Sequence, residues 1–141
     1  MTEDSSDYRH PLPELEGLTQ EFYDLCKEGT LHFQRCAGCR AWRHVPREMC
    51  PECGSWDWAW APSTGRGKVF SWTVVARALH PAFKDDTPYA PVIVEMDEGV
   101  RLLTQVTDVA PDALEIDMPV EVAFDAVTPE ITLPRFRRAA A

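Results

Sequence analysis

The stretch Cys36-Ala-Gly-Cys39, followed after ten residues by Cys50-Pro-Glu-Cys53-Gly54, decides the fold of the N-terminal half of this chain. Two Cys-x-x-Cys pairs at this spacing are typical of a zinc ribbon, in which two tight turns aim four sulfurs at one metal. Four thiolates fill the tetrahedral shell of Zn²⁺ and leave no open position for a substrate. The spacing therefore predicts one structural zinc ion per chain. Two disulfides or redox pairs are the alternative, and the absence of secretory character at the N-terminus disfavours them.

The segments on either side of the cysteines have different periodicities. Leu15, Leu18, Phe22 and Leu25 recur at helical spacing and predict a helix over residues 14–28, with Gly29 as its stop. Cys26 lies on the apolar side of this helix and is expected to be a buried free thiol. We therefore divide the chain into an N-terminal arm and helix, a zinc ribbon and a barrel domain, over residues 1–30, 31–62 and 63–141.

The C-terminal part is strand-like throughout. A turn at Asp97-Glu98-Gly99 joins two of its predicted strands, and a helical turn is expected at residues 111–114. A long strand, a hairpin, a helical turn and two more strands follow the order of an OB-fold barrel. The fold class is therefore mainly β: an N-terminal helix, a four-cysteine zinc ribbon, then a five-stranded OB-fold barrel whose core we expect to be separate from the ribbon. The barrel strands are predicted at residues 69–79, 89–96, 100–107, 119–127 and 131–136, and the ribbon strands at 31–35, 41–45 and 56–61.

The charge is unevenly distributed. The net charge of −9 argues against general nucleic-acid binding, which depends on neutralising phosphates. Residues 35–47 hold four arginines and no acid, and so form a basic island on an acidic protein. These arginines are either solvated side chains or contacts for a phosphate-bearing ligand or an acidic partner. The sequence does not indicate which of the four would make such a contact. The candidates are Arg35, Arg40, Arg43 and Arg47.

No catalytic constellation is recognisable. Nucleophilic catalysis needs a nucleophile, a base and an orienting group together, and none of the four histidines lies in such a motif. His44 is expected at the surface, and Asp97 and Glu98 are interpreted as turn formers. His80 and Phe83 lie in the loop between the first two barrel strands, where OB folds often bind ligands, and are candidate contacts for ligand or partner. No apolar run is long enough for a transmembrane helix, and a cytoplasmic location is expected.

An ordered set of signatures resembles the DUF35 family, OB-fold acyl-CoA-associated proteins with an N-terminal rubredoxin-like zinc ribbon. The resemblance covers about residues 12–138 and includes the four cysteine positions. Further matching segments are Pro46-Arg47, Gly65 and Gly67 before Val69-Phe-Ser-Trp72-Thr73, Pro88-Tyr-Ala-Pro91-Val, Glu95-Met-Asp-Glu-Gly99-Val-Arg-Leu102, Met118-Pro-Val120 and Ile131-Thr-Leu-Pro-Arg-Phe136.

The resemblance implies a non-catalytic accessory subunit of a thiolase-fold acyl-CoA enzyme. The implied partner is a lipid-transfer-protein-like aldolase that cleaves a β-hydroxyacyl-CoA by a retro-aldol reaction on a steroid side chain, in a hetero-oligomer such as α2β2. The acyl-CoA is expected near the interface, and no membrane association is expected. Family members can be fused to a MaoC-type hydratase half, and this chain is expected to be a stand-alone version. The alternatives are a stand-alone acyl-CoA-binding protein and, against the acidic charge, a single-stranded nucleic-acid-binding module.

Overall fold

The computed structural model describes residues 8–140 and consists of one helix and eight strands, with two short 3-10 turns. The turns cover Pro81–Phe83 and Pro111–Ala113. The longer elements are α1 (Gly17–Lys27), β1 (His32–Cys36), β2 (Trp42–Arg43), β3 (Trp58–Pro62), β4 (Arg66–Trp72), β5 (Val92–Met96), β6 (Arg101–Thr104), β7 (Pro119–Ala126) and β8 (Thr132–Arg138).

The last five strands form one antiparallel sheet in the order β6-β5-β4-β7-β8. The two ends of this sheet meet, because Val106, just after β6, pairs with Phe136 of β8 in a parallel bridge. The amide of Thr107 donates to the carbonyl of Phe136 at 2.8 Å. The amide of Phe136 donates to the carbonyl of Gln105 at 3.0 Å. Strand order and closure are those of the OB fold, so the predicted fold class is confirmed.

Helix α1 covers the protein's own core. It begins at Gly17 rather than at residue 14, because Glu16 is extended and Gly17 has a φ of 57°, outside the right-handed helical region. Phe22 and Cys26 are buried where α1 contacts β1, β7 and β8. Burial of the free thiol is confirmed, and desolvation raises the pKa of Cys26 to about 12.

The ribbon does not have a core of its own. Leu31 and Phe33 are 1% and 0% exposed and belong to the same apolar cluster as Val69 and Phe136 of the barrel. The expectation of separate cores is therefore wrong. The reason is geometric: α1 packs on both β1 and β8, so the base of the ribbon and the barrel enclose one apolar volume.

Several predicted strands are shorter than their sequence patterns indicate. Strand β4 ends at Trp72, after an irregularity between Val69 and Ser71, and Val75 pairs with Tyr89 only in an isolated bridge. In the ribbon, β3 begins at Trp58, and Trp56 precedes it with 65% of its surface exposed. Only Trp58 and Trp60 of the three alternating tryptophans contact each other, edge to face at 5.2 Å.

Candidate functional site

The four cysteines of the two Cys-x-x-Cys pairs lie together at the tip of the ribbon. Their sulfurs are all within 4.8 Å of one another. The Sγ atoms of Cys36 and Cys53 are 3.6 Å apart, as are those of Cys39 and Cys50. Cys36 and Cys50 are buried, whereas Cys39 and Cys53 are exposed. Four sulfur donors in one cluster fit the coordination preferred by a structural zinc ion.

The two turns that carry these sulfurs have the same backbone geometry. In each turn, the carbonyl of the first cysteine accepts a hydrogen bond from the amide four residues later. The amide of Arg40 donates to Cys36 at 3.1 Å, and the amide of Gly54 donates to Cys50 at 2.9 Å. In each, the first cysteine's amide also donates to the carbonyl five residues later, at 2.9 Å for Cys36 and for Cys50. Arg40 and Gly54 adopt positive φ, 67° and 79°. The glycine following Cys53 thus fits this backbone without strain, and Arg40 adopts the same conformation at the equivalent position.

The electrostatics of the cluster favour thiolates that are balanced by a cation. Backbone N–H groups of Cys39 and Gly38 point at Cys36 Sγ and lower the pKa of Cys36 to about 6, against an opposing effect of desolvation. The amides of Cys53 and Glu52 lower the pKa of Cys50 in the same way. The N–H of Ala41 also lowers the pKa of Cys39. Desolvation and the neighbouring sulfurs outweigh this effect and raise the pKa of Cys39 to about 11. Four sulfurs this close ionise together only when a metal ion neutralises them.

Beneath the cysteine cluster, a buried polar network joins β1 to the segment after β2. Gln34 is 0% exposed; its Oε1 accepts from the amide of Arg47 at 2.7 Å and from Nε of Arg43 at 3.1 Å. The Nε2 of Gln34 donates to the carbonyl of Arg47 at 2.8 Å, and Nη2 of Arg43 donates to the same carbonyl at 2.8 Å. The network fixes the backbone of residues 43–47 against the ribbon.

The guanidinium of Arg43 is buried with no carboxylate partner among residues 8–140. Arg43 is 6% exposed, and its Nη1 is buried without a hydrogen-bond partner. Its guanidinium carbon lies 5.7 Å from the ring centre of Trp58. A buried cation held only by neutral acceptors is costly, because the low-dielectric surroundings do not replace its hydration.

His44 is half-buried against the core, and is not at the surface as the sequence suggests. Its ring is 5.1 Å from that of Phe22 and 5.2 Å from that of Phe33, centroid to centroid, and its Nδ1 has no hydrogen-bond partner. Burial lowers the pKa of His44 from 6.5 to about 4, so the ring is neutral at physiological pH. The expectation fails because His44 follows β2 directly, where the chain turns inward toward α1.

A groove of about 390 Å³ lies between the ribbon and the β5–β6 hairpin, and we call it the arginine groove. Its walls contain three arginines and no acid. The lining residues are Trp42, Arg43, His44, Val45, Arg47, Pro51, Gly99, Val100 and Arg101.

A larger cleft of about 920 Å³ adjoins the arginine groove, and we call it the apolar cleft. It lies between α1, the loop before β5, and strands β6 and β8. Its walls include Phe22, Tyr89, Leu103 and Val106. His44, Val45 and Arg101 line both cavities, so the two spaces are neighbours separated by these residues. The volume is within the range of small-molecule sites.

The structure separates the candidate contact residues. Arg43 and Arg47 line the arginine groove, and Phe83 lines the apolar cleft. Arg35 instead stacks on Trp42 at 4.8 Å and donates to the carbonyl of Arg40 at 3.0 Å, and Arg40 is exposed. His80 lines neither cavity; its Nδ1 accepts from the amide of Ala82 at 3.0 Å and caps the 3-10 turn.

Sequence reasoning missed three polar residues at these cavities. Arg101, on β6, lines both of them. His10 and Asp86 form a pair at 2.5 Å on the edge of the apolar cleft, and the His10 ring stacks on Phe83 at 4.3 Å. His10 and Asp86 are far apart in sequence, and Arg101 is remote from the basic island, so no local pattern signals either grouping.

The fold and the cysteine cluster together define a zinc-ribbon protein with an OB-fold barrel. Two family models match: the rubredoxin-like zinc ribbon domain of ChsH2 over residues 24–58 and its C-terminal OB-fold domain over residues 60–125. The chain belongs to this family, the DUF35 proteins, and the expected membership is confirmed.

A solved structure described as an Ltp2–ChsH2(DUF35) aldolase superposes with a TM-score of 0.80 at 40% identity, covering 93% of this chain and 100% of that one. A probable enoyl-CoA hydratase alpha subunit from Thermomonospora curvata is 40% identical over 99% of this chain, which spans only 43% of that protein. A 3-oxo-4,17-pregnadiene-20-carboxyl-CoA hydratase alpha subunit from Mycobacterium tuberculosis is 32% identical, over 75% of this chain and 33% of that one.

A DUF35 domain-containing scaffold protein from Methanothermobacter thermautotrophicus is 32% identical, over 64% of this chain and 84% of its own length. Within residues 8–140, no helix is both long and apolar enough to cross a bilayer.

Proposed function

We propose that this chain is a non-catalytic accessory subunit of a thiolase-fold acyl-CoA enzyme. The partner we propose is a lipid-transfer-protein-like aldolase, and the reaction is retro-aldol C–C cleavage of a β-hydroxyacyl-CoA on a steroid side chain. The similarity to the DUF35 chain of an Ltp2–ChsH2 aldolase, over all of that chain at 40% identity, is the observation that carries this proposal.

The names of other relatives support the substrate class and the accessory role. Two bacterial relatives are described as alpha subunits of CoA-thioester hydratases, one of them acting on a pregnadiene carboxyl-CoA, and the archaeal relative is described as a scaffold. The chain spans less than half of each hydratase subunit, so the hydratase activity is not assigned to it.

The side chains also favour a non-catalytic role. Among residues 8–140, the histidine–carboxylate contact is His10 with Asp86, and no Ser, Thr or Cys side chain hydrogen-bonds to either. A nucleophile aligned with a base is the minimum for acyl transfer, and this pair lacks one. A retro-aldol cleavage needs a base rather than a nucleophile, so the assignment of this chemistry to the large subunit rests on the similarity to the DUF35 chain of an aldolase complex.

We assign one structural Zn²⁺ per chain to Cys36, Cys39, Cys50 and Cys53. Four sulfurs within 4.8 Å of one another support a closed site without a position for substrate. The metal would hold the ribbon tip and its basic island in shape. Arg35 and Arg40, on the ribbon surface away from both cavities, are the proposed contacts with an acidic face of the partner, and the acyl-CoA lies near this interface.

The test is a pull-down of the tagged chain from its native cell extract, with mass spectrometry and metal analysis of the eluate. We expect a stoichiometric thiolase-fold protein, in an α2β2 or similar assembly, and one zinc per chain. The complex should cleave a β-hydroxyacyl-CoA, and this chain alone should not. A double charge reversal, Arg35→Glu with Arg40→Glu, should weaken capture, whereas Arg77→Glu, an exposed arginine outside the ribbon, should not.

The apolar cleft of about 920 Å³ within this one chain favours a second candidate, a stand-alone acyl-CoA-binding protein. That function predicts that the chain elutes without a thiolase-fold partner and still retains CoA thioesters. This result would contradict the accessory-subunit proposal.

A further inference from the structure

The first described residues, 8–13, form an arm without regular secondary structure. Among the described residues, no backbone hydrogen bond joins this arm to another segment. Its side chains contact residues 80–89, which lie in the connection between β4 and β5. A segment that is held by side chains, and not by a backbone ladder, opens at low cost in free energy. The arm can therefore leave the barrel without disturbing either sheet.

His10 is the main point of attachment of the arm. Its Nε2 is 2.5 Å from Oδ2 of Asp86, and its ring stacks on that of Phe83, with 4.3 Å between the ring centres and 2° between the planes. The side chains of His10 and Asp86 are 26% and 46% exposed, so both are partly shielded from water. Tyr8 packs edge to face on the other ring contact of the arm, His10, at 5.3 Å. Aromatic stacking and a short hydrogen bond to a carboxylate both stabilise the docked arm.

The neighbouring ion pair of the arm is much weaker. Nη1 of Arg9 is 4.0 Å from Oδ2 of Asp85, and the two side chains are 78% and 85% exposed. Exposed ion pairs contribute little, because water screens the charges. Two adjacent aspartates thus contact two adjacent arm residues with unequal strength, and Asp85 provides a matched control for Asp86.

The docked arm forms part of the wall of the apolar cleft. Arm and loop each contribute three lining residues, so the contact between them closes one side of the cleft. These residues are Tyr8, His10 and Pro11 of the arm and Phe83, Asp86 and Tyr89 of the loop. The ring of Phe83 also stacks on that of Tyr89 at 5.4 Å, so the His10 ring extends an aromatic row that the loop begins. Detachment of the arm would remove this part of the wall and widen the cleft opening.

We propose that residues 8–13 are a strap that closes one side of the apolar cleft, and that the contact of His10 with Asp86 and Phe83 is its latch. Release of the latch opens the cleft to small apolar molecules while the ribbon and the barrel stay folded. The strap is a property of this chain alone and does not depend on the accessory-subunit proposal.

The opening of the strap is measured by trypsin cleavage of the Arg9–His10 bond in the zinc-loaded full chain, followed by mass spectrometry. Native-state cleavage tracks the population of the open form, because the protease acts on a locally unfolded segment. Asp86→Ala should accelerate this cleavage about fivefold, since it removes the hydrogen bond to His10. Asp85→Ala should accelerate it less than twofold. Both substitutions are remote from the cleaved bond in sequence, so the intrinsic susceptibility of that bond is unchanged.

Phe83→Leu is the second latch variant, since it keeps an apolar side chain but loses the stack on His10. It should also accelerate cleavage at Arg9–His10 severalfold. Zinc content should be unaltered in all three variants, because the latch is outside the cysteine cluster.

Access to the cleft is measured by stopped-flow association of N-phenyl-1-naphthylamine, a neutral apolar fluorophore. Asp86→Ala should bind this probe about fivefold faster than the wild type, and Asp85→Ala should bind it at the wild-type rate. Equal cleavage at Arg9–His10 in the wild type and Asp86→Ala would show that the latch does not hold the arm. Faster cleavage with unchanged probe association, or no probe binding by Asp86→Ala, would show that the arm does not close the cleft. Either result would overturn the proposal, and neither affects the pull-down that tests the accessory role.

Discussion

The tip of the ribbon and the barrel are stabilised by different kinds of interaction. Between residues 37 and 57 the buried residues are Arg43 and Cys50, whereas β4, β5, β7 and β8 each bury apolar side chains. The barrel can therefore fold by removing apolar surface from water. The tip has almost no such surface to bury, and its stability has to come from metal–sulfur bonds and from the Gln34 network. The comparison predicts that the two regions can be destabilised independently.

Loss of one sulfur ligand should have the largest effect, and it should be confined to the tip. We expect Cys50→Ser to lose zinc, because binding of structural zinc contributes roughly 10–16 kcal/mol to the folding of small domains. Hydrogen exchange should accelerate over residues 37–57, while residues 66–138 keep their protection. Leu31 and Phe33 should also stay protected, since they belong to the core shared with the barrel.

The matched control for this variant is Cys26→Ser, which alters a buried thiol outside the cluster. It should keep one zinc per chain and lose only a modest amount of stability. Full zinc content in Cys50→Ser would contradict the ligand assignment. Loss of protection throughout the barrel would contradict the proposed independence of the two regions.

The converse experiment removes a barrel side chain. Phe136 is 0% exposed and lies at the closure of the sheet. Phe136→Ala should reduce the free energy of unfolding by about 3–5 kcal/mol, because it leaves a cavity as well as losing apolar burial. Chemical denaturation followed by circular dichroism measures this change. Zinc content should be unaltered in the folded variant, and zinc release under native conditions would show that the tip depends on the barrel.

Sequence patterns predicted the features that depend on local order. Cysteine spacing predicted the ribbon, and alternation with turn signals predicted the five barrel strands and their order. Features that depend on cross-strand register were not predictable. Arg43 looks like its three neighbouring arginines in sequence, but β1 and β2 pair Gln34 with Arg43, and this pairing buries the guanidinium. The shared core depends likewise on where α1 docks, which no local pattern specifies.

His44 lies at the junction of the two regions and should make stability depend on pH. Its pKa is lowered from 6.5 to about 4 by burial, so the unfolded chain binds the proton more tightly than the folded one between these values. This contribution to stability is complete above pH 6.5 and is lost as pH falls toward 4. At pH 5 the loss should be about 2 kcal/mol.

The measurement is the free energy of unfolding at pH 5 and pH 7.5, for the wild type and for His44→Gln, whose side chain does not titrate. The difference between the two proteins isolates His44 from the other histidines and from acid-induced loss of zinc. Equal pH dependence in both proteins would show that the ring is not held neutral by burial.

The smallest effect we predict concerns the link between ribbon and barrel. The hairpin acids that sequence analysis interprets as turn formers, Asp97 and Glu98, also hold this link. Glu98 accepts hydrogen bonds from Ser63 Oγ at 2.7 Å and from the amide of Thr64 at 3.0 Å. Asp97 accepts a hydrogen bond from Thr64 Oγ1 at 3.0 Å. Because these contacts are partly exposed, we expect Glu98→Ala to cost only about 1 kcal/mol. Its signature should be local, with faster exchange at residues 63–65 and unchanged zinc content. Arg137→Ala, which removes a surface ion pair with Glu121, is the control for the loss of one exposed side-chain contact without a link to the ribbon. If exchange at residues 63–65 stays slow in Glu98→Ala, the link is held by the shared core around Leu31 and Phe33, and the two regions are coupled by apolar packing alone.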